Sequence, residues 1–517
     1  MMSPAPLPKP TGLSARLSRN IVASLIRVLI NGMVAWALPA YLTSRLSVSV
    51  YGAWVLILQM AALVSFLDIG IQTAVAKFVA EYEARGDDLG ASRHASTGLA
   101  MTAIAAMAGC VLTLGLAWQV PRLFHEMPSA FFRDVRTDVV LVGFSLSISL
   151  ACSIFSAVFM GLQRYAIPMS LLIANRAGIA LAVCLTVSMH GGLLAMGTSV
   201  ALMNILTSVA QVICWRRFAA HIRVSFSLAQ RAILNRMVRY CFFLGISTLG
   251  MLCVSGLDVT IVGHYDYGQT AYYSIAVLPT NMMLLIISAV IGPMMPASSA
   301  LSTQRTPAEM GGILIAATRY ALIVLFLVAL PVVVCGYPIL KLWLGADYAL
   351  HSLGYLRVLV VANVIRNICL PYSTMVVGTG EQRSATIAAV GEAIVNLASS
   401  VLLAKSLGAA GVAYGTLIGS FVSVFLHFIL SMKATNKTLR ISRKQLLLEG
   451  IAAPGIALIP ALLTIPLWAP PSQLAMNSAS TALWGAATLC CTWLALKKTE
   501  RKSVLTKIPT LLGAPQR

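Results

Sequence analysis

The sequence predicts an all-α polytopic integral membrane protein, and three observations predict it. Of 517 residues, 58% are hydrophobic and only 10% charged, where a soluble globular protein carries roughly 25% charged residues. Fourteen stretches reach the ~20 apolar residues that a helix needs to cross a bilayer. The third observation is an internal repeat. Gly161, Gln163 and Arg164 form a Gly-x-Gln-Arg turn before an apolar span, and Gly380, Gln382 and Arg383 do the same 219 residues later. In both places a Gly-containing break follows (Gly191-Gly192; Gly408 to Gly411), then a span opening with Gly-Thr, Gly197-Thr198 and Gly415-Thr416, 218 residues apart. Tyr51-Gly52 and Tyr267-Gly268 extend the repeat at an offset of 216, and Arg85 and Arg305 at 220. Duplicated halves of apolar helices are a usual construction for secondary transporters.

The predicted spans are 20–43, 51–72, 95–118, 136–160, 168–190, 193–215, 238–263, 271–295, 313–336, 354–377, 385–404, 410–430, 448–468 and 477–496. They divide the chain into a cytoplasmic N-terminal segment (1–19), an N-terminal six-helix bundle (20–215) and a basic linker (216–237). A C-terminal six-helix bundle (238–430), a basic loop (431–447), two extra helices (448–496) and a basic tail (497–517) follow. The net charge of +21 raises the question of nucleic acid, and its distribution answers it. With both termini inside, the cytoplasmic segments hold 26 of the 37 Lys and Arg, and the opposite face holds 6. That is the positive-inside bias of an inner-membrane protein. Anionic membrane lipids, and no nucleic acid, are the partners such loops imply.

The ten Cys lie mostly inside spans or as the pair Cys490-Cys491, without metal-ligand spacing, so no metal and no cofactor is expected. Residues 1–19 are polar and basic, and Ala35-Trp36-Ala37 resembles a cleavage site. Arg27 interrupts the apolar core a signal peptide needs, so the first helix is expected to remain.

Several spans carry polar residues at helical spacing. In span one, Asn20, Ser24, Arg27 and Asn31 share a stripe. An Arg at a helix centre costs ~2.5–3.5 kcal/mol on insertion scales, so this stripe is expected to face protein or water. Asp68 ends span two, and a local partner such as Lys77 is expected to satisfy it. Span five carries Asn175-Arg176, and span seven Asp258. Span ten carries Asn363, Arg366, Asn367 and Thr374 as a stripe, and span eleven Glu392 and Asn396 one turn apart. Pro121, Pro168, Pro279, Pro293 and Pro296 mark places where a helix bends.

The order Tyr51-Gly52-Ala53-Trp54, Leu67-Asp68-Ile69-Gly70, Leu257-Asp258, Gly263, Tyr272-Tyr273 and Asn396…Gly408…Gly411…Gly415 resembles Wzx-type polysaccharide flippases. These belong to the multidrug/oligosaccharidyl-lipid/polysaccharide exporter superfamily. The resemblance covers roughly residues 16 to 430. It implies a MATE-like fold of two six-helix bundles related by a pseudo-two-fold around a central cavity. It also implies transport: undecaprenyl-pyrophosphate-linked oligosaccharide moved from the cytoplasmic to the periplasmic leaflet during exopolysaccharide or O-antigen synthesis, beside a polysaccharide polymerase and export machinery. Cationic cavity residues suit a pyrophosphate, since Arg binds phosphate through a two-pronged fork. Arg27, Asn31, Arg176, Asn363 and Arg366 are the candidates for holding it, and Asp68, Asp258 and Glu392 those for ion coupling or charge pairing. A cation-coupled drug exporter would instead favour acidic cavity residues, and a peptidoglycan-precursor flippase shares the fourteen-span layout. A polymerase or ligase of lipid-linked glycans would need catalytic groups in a large external loop. The external stretches 119–135 and 337–353 offer His125, Glu126, Arg133, Asp134, Asp347 and His351 without a catalytic spacing, and the chain is not expected to be an enzyme.

Overall fold

A computed structural model describes residues 32–302, 304–459, 486–491 and 493. Arg27, Asn31, the segment 1–19 and the tail 497–517 lie outside the described residues. Every regular element among those described is a helix. Ten helices are long and apolar enough to cross a membrane, and each overlaps one predicted span. Of the other four spans, the first, thirteenth and fourteenth run partly into residues outside the description. The seventh is built differently from the expectation. Its helix gives way to a π-helix over Leu252–Gly256 before resuming at Asp258, a local widening that commonly marks functional segments.

The helices, in chain order, begin with α1 (residues 32–45). Then come α2 (Val48–Ala62), α3 (Ile71–Glu83), α4 (Asp88–Leu123), α5 (Phe132–Gly161), α6 (Ala166–Ser188), α7 (Leu193–Phe218) and α8 (Arg231–Met251). After these are α9 (Asp258–Tyr265), α10 (Thr270–Ile291), α11 (Met294–Leu301), α12 (Pro307–Val334), α13 (Gly336–Leu344) and α14 (Ala346–Asn367). Next are α15 (Leu370–Gly378), α16 (Gln382–Leu407) and α17 (Ala409–Leu426). They form two compact units. Unit 1 holds the described residues up to Leu252 together with Asp266–Ala271, and unit 2 holds Cys253–Tyr265 and the described residues from Tyr272 onward.

In unit 1, α2 continues through a 3-10 turn, Leu63–Asp68, and bends at Ile69 and Gly70, both left-handed at φ 46° and 79°. Asp68 sits just before α3 and accepts from the Gln72 backbone N–H at 3.3 Å. This corrects the expected pairing with Lys77, whose Nζ lies 4.2 Å from the centre of the Tyr240 ring. A carboxylate preceding a helix finds free N–H donors on the next turn, and they are closer than any side chain. The long helices α4 and α5 approach through small residues: a Cβ on Gly143 would strike Thr113, and one on Gly109 would lie 2.7 Å from Ser147 Oγ.

In unit 2, α12 opens with a capping box, Thr306 with Glu309, and Pro307 at its first turn. The expected stripe along span ten is divided. α14 ends at Asn367, and α15 starts at Leu370 with Pro371 in its first turn, because a proline ring cannot continue the preceding helix's hydrogen bonds. Thr374 therefore belongs to a second helix, where it bonds the Leu370 carbonyl at 2.8 Å. Helices α16 and α17 pack closely through Gly411, Gly415 and Gly419, spaced every fourth residue. A Cβ on Gly411 would lie 2.6 Å from Ala404 N, one on Gly415 2.5 Å from Ser400 N, and one on Gly419 2.7 Å from Asn396 Cβ. This is the small-residue contact by which membrane helices bring their backbones together.

The internal repeat survives with a corrected register. At the end of α5, Arg164 N bonds Phe159 O at 2.8 Å and Gln163 N bonds Met160 O at 3.0 Å. At the end of α15, Glu381 N bonds Val376 O at 3.0 Å and Gly380 N bonds Val377 O at 3.2 Å. The same helix-ending turn recurs, with its left-handed residue at Gln163 (φ 55°) and Gly380 (φ 84°). Gln163 thus corresponds to Gly380, an offset of 217 rather than 219. Gly161 and Gly378 obey the same offset. Each lies where a Cβ would strike a neighbouring helix's carbonyl, Ala76 O and Met295 O respectively. The two Gly-x-Gln-Arg strings match in letters two residues out of structural register, because the glycines answer different demands: Gly161 close packing, Gly380 a left-handed backbone.

Candidate functional site

Unit 2 gathers Arg366, Glu392, Asp258 and Asn396 into one buried group. The Arg366 guanidinium, at the end of α14, donates through Nε to Glu392 Oε1 of α16. The Glu392 side chain is 8% exposed and the Arg366 side chain 20%. Asp258, the first residue of α9, lies buried within the field of Arg366 and beside Tyr273 of α10 and Thr416 of α17. Asn396, one turn from Glu392, is fully buried. The Asp258 Oδ1, both Asn396 amide atoms and the Arg366 Nη2 have no hydrogen-bond partner among the described residues. Two carboxylates share one guanidinium, so the group holds more anionic capacity than cation to match it. Helix geometry makes this convergence. The π-helix ends just before Asp258, and the glycine contact of α16 with α17 brings Asn396 and Thr416 into the same layer.

Asn363 is buried nearby in sequence on α14, but its amide donates to its own helix, to Leu359 O at 2.9 Å, and Asn367 likewise donates to Asn363 O at 2.7 Å. Both amides are occupied with the backbone. Sequence reasoning gave Arg366 to the cargo's phosphates, with a structural pair to Glu392 as the other reading, gave Asp258 and Glu392 to ion coupling or charge pairing, and left Tyr273 and Thr416 out. Their signals were present, as the Tyr272-Tyr273 pair and the Gly415-Thr416 of the repeat.

Unit 1 places Arg176 differently. Asn175 anchors α6 to α7, donating to Thr207 Oγ1 at 3.0 Å, Asn204 Oδ1 at 3.3 Å and Met203 O at 3.3 Å. Asn204 in turn reaches Ser145 of α5 at 3.0 Å. Arg176, the next residue, projects about 100° further round the helix and is exposed. It stands near the middle of α6, about 15 Å along it, and has neither ion pair nor hydrogen bond among the described residues. At the structural offset, Asn175 corresponds to Glu392. Asp68 stands apart as the partner of the α3 backbone.

The stretches 119–135 and 337–353 use their polar groups locally. Glu126 Oε2 accepts from Tyr267 N at 3.0 Å, and the Tyr267 hydroxyl donates to Ser49 O at 2.7 Å. Asp347 accepts from the Tyr272 hydroxyl at 2.8 Å and lies 3.3 Å from His351 Nδ1, with the His351 ring stacked on Tyr272. No three His, Cys, Asp or Glu residues converge as a metal site among the described residues.

A family described as polysaccharide biosynthesis protein matches residues 17–302. The chain belongs to this polysaccharide biosynthesis family. No curated protein sequence matches the chain. Among solved structures, it is similar to the lipid II flippase MurJ in an inward closed conformation. That match has a TM-score of 0.70 at 13% identity, over 95% of this chain and 99% of that one. It is also similar to an inward-facing multidrug resistance MATE family transporter of the MOP superfamily, with a TM-score of 0.68 at 15% identity, over 80% of this chain and 98% of that one. At such identities the likeness establishes the fold. This member of the polysaccharide biosynthesis family is a multi-pass membrane protein with a MATE-like fold.

Proposed function

We propose that the protein flips an undecaprenyl-pyrophosphate-linked oligosaccharide from the cytoplasmic to the periplasmic leaflet of a bacterial inner membrane, with both termini in the cytoplasm. It acts as a transporter rather than an enzyme. The observation that carries the reading is Arg176. An exposed guanidinium halfway along an apolar helix is costly against hydrocarbon, and the chemistry that best compensates it is a multivalent anion. A pyrophosphate supplies that charge in a geometry matching the guanidinium fork. Family membership supports the glycan class, and the MurJ-like fold supports a lipid-linked cargo.

In unit 2, Glu392 already neutralises Arg366. That group suits coupling better than cargo binding: a proton or small cation taken up by Asp258 and Glu392 would balance the second carboxylate. A cation-coupled multidrug exporter remains the competing reading, and one experiment separates them. The full-length protein is reconstituted in vesicles carrying either a fluorescent undecaprenyl-pyrophosphate sugar or a cationic dye, with and without proton and sodium gradients. Flipping of the lipid-linked sugar without dye transport is the expected result, and dye transport without sugar flipping would overturn the proposal.

A further inference from the structure

A second acidic site lies in unit 1, at Asp138 of α5. The sequence gives it little prominence, since it sits near the start of a predicted span where a carboxylate normally reaches the interface. The structure buries it completely: its exposure is 0%. Neither Oδ1 nor Oδ2 has a hydrogen-bond partner among the described residues. Of the helices that pack on α5, namely α2, α3, α4, α6 and α7, none brings a charge to it. Among the described residues the one charged group whose field reaches it is Asp134, a turn away on α5 itself, and that charge is of the same sign. Arg136, a cationic neighbour at the start of α5, is engaged elsewhere, donating to Ala117 O at 3.1 Å and to Trp118 O at 3.2 Å.

The space around the carboxyl group is closed by Gly197 of α7, on which a Cβ would run into the Asp138 side chain. Gly197 belongs to the Gly-Thr element of the internal repeat. Its counterpart in letters, Gly415, admits a neighbouring backbone, whereas Gly197 admits a carboxyl group. An ionised carboxylate here would be uncompensated by any donor or cation, an arrangement costing several kcal/mol. A neutral carboxylic acid fits the same space with one hydrogen and no charge.

We propose that Asp138 is a proton-binding site of unit 1: it holds a proton while Gly197 covers it, and it ionises when the α5–α7 contact parts and water enters. The ligand is a proton rather than a metal cation, because no three His, Cys, Asp or Glu residues converge there as a metal site among the described residues. The proposal does not depend on which cargo is carried.

The test is thermal unfolding of the full-length protein in detergent from mildly acidic to mildly alkaline pH, comparing wild type with Asp138→Asn and Asp138→Ser. The native state binds one proton more than the unfolded chain, so wild-type stability falls as pH rises through the ionisation of Asp138. The folding equilibrium should weaken by up to about tenfold per pH unit between the ionisation of this carboxyl group in the unfolded chain and its ionisation in the fold, and level off above the latter. Asp138→Asn, an uncharged isostere, should remove that loss while leaving the acidic-pH midpoint unchanged. Asp138→Ser, smaller and neutral, should also remove it even if its midpoint is lower throughout. Persistence of the wild-type pH slope in either variant would overturn the proposal. So would recovery of wild-type stability at alkaline pH by sodium but not by choline, which would make the ligand a metal cation.

Discussion

Helices α6–α7 of unit 1 and α16–α17 of unit 2 occupy corresponding places in the internal repeat, yet they are held together by different physics. The first pair is joined by an amide, Asn175, reaching three acceptors on α7. The second pair is joined by backbone contact at Gly411, Gly415 and Gly419. The charges follow the same division. In unit 2 the residue corresponding to Asn175 is Glu392, and it neutralises Arg366 inside the unit. In unit 1 the amide cannot neutralise anything, and the adjacent Arg176 stays exposed. At this pair of places in the repeat the scaffold thus carries an internalised cation, Arg366, and an available one, Arg176. Under the proposed function, the Arg366–Glu392 group of unit 2 serves structure and coupling, and Arg176 of unit 1 serves anion contact.

The comparison breaks most visibly at the ion pair. Arg366→Ala leaves Glu392 buried without its partner and should cost about 3–5 kcal/mol, read as loss of folded protein after detergent extraction. Removing both, Arg366→Ala with Glu392→Ala, should recover most of that yield. A double variant no better than the single one would mean that the pair is not the unit's charge balance. The glycine contact comes next. Gly415→Leu drives a side chain toward Ser400 Cα and N, each 2.5 Å from the added Cβ, and should cost about 3 kcal/mol in an unfolding assay.

The amide contact of unit 1 is weaker. Asn175→Ala should lower stability by about 1 kcal/mol, within the range of hydrogen bonds between membrane helices. Gly178→Ala, in the same helix, should change it by less than about 0.5 kcal/mol. There the new methyl meets only the flexible tip of Met203. A larger loss from Gly178→Ala than from Gly415→Leu would reverse the distinction between the two helix pairs.

The sequence made the spans legible because ~20-residue apolar runs have few alternative meanings. It made Arg366, Asp258 and Glu392 conspicuous because charges in such runs are rare. What it hid was register and context. Letter matching aligned Gln163 with Gln382, while the backbone aligns it with Gly380, because a left-handed turn is a property of dihedral angles. Pro371 announced the break between α14 and α15, but the polar stripe across it read as one helix. The π-helix at Leu252–Gly256 has no comparable sequence mark. Asp138 was concealed by its position: a carboxylate near a span's edge reads as interfacial until its neighbours are known.

The most direct test of the division between units is binding of undecaprenyl pyrophosphate to the full-length protein in lipid nanodiscs. Arg176→Gln removes a charge-assisted fork worth about 1.5–3 kcal/mol, so affinity should fall at least about tenfold with no change in unfolding midpoint. The double variant Arg366→Gln with Glu392→Gln should bind within about threefold of wild type, about 0.65 kcal/mol. Unchanged binding by Arg176→Gln, together with a tenfold loss in the Arg366 and Glu392 double variant, would contradict the account.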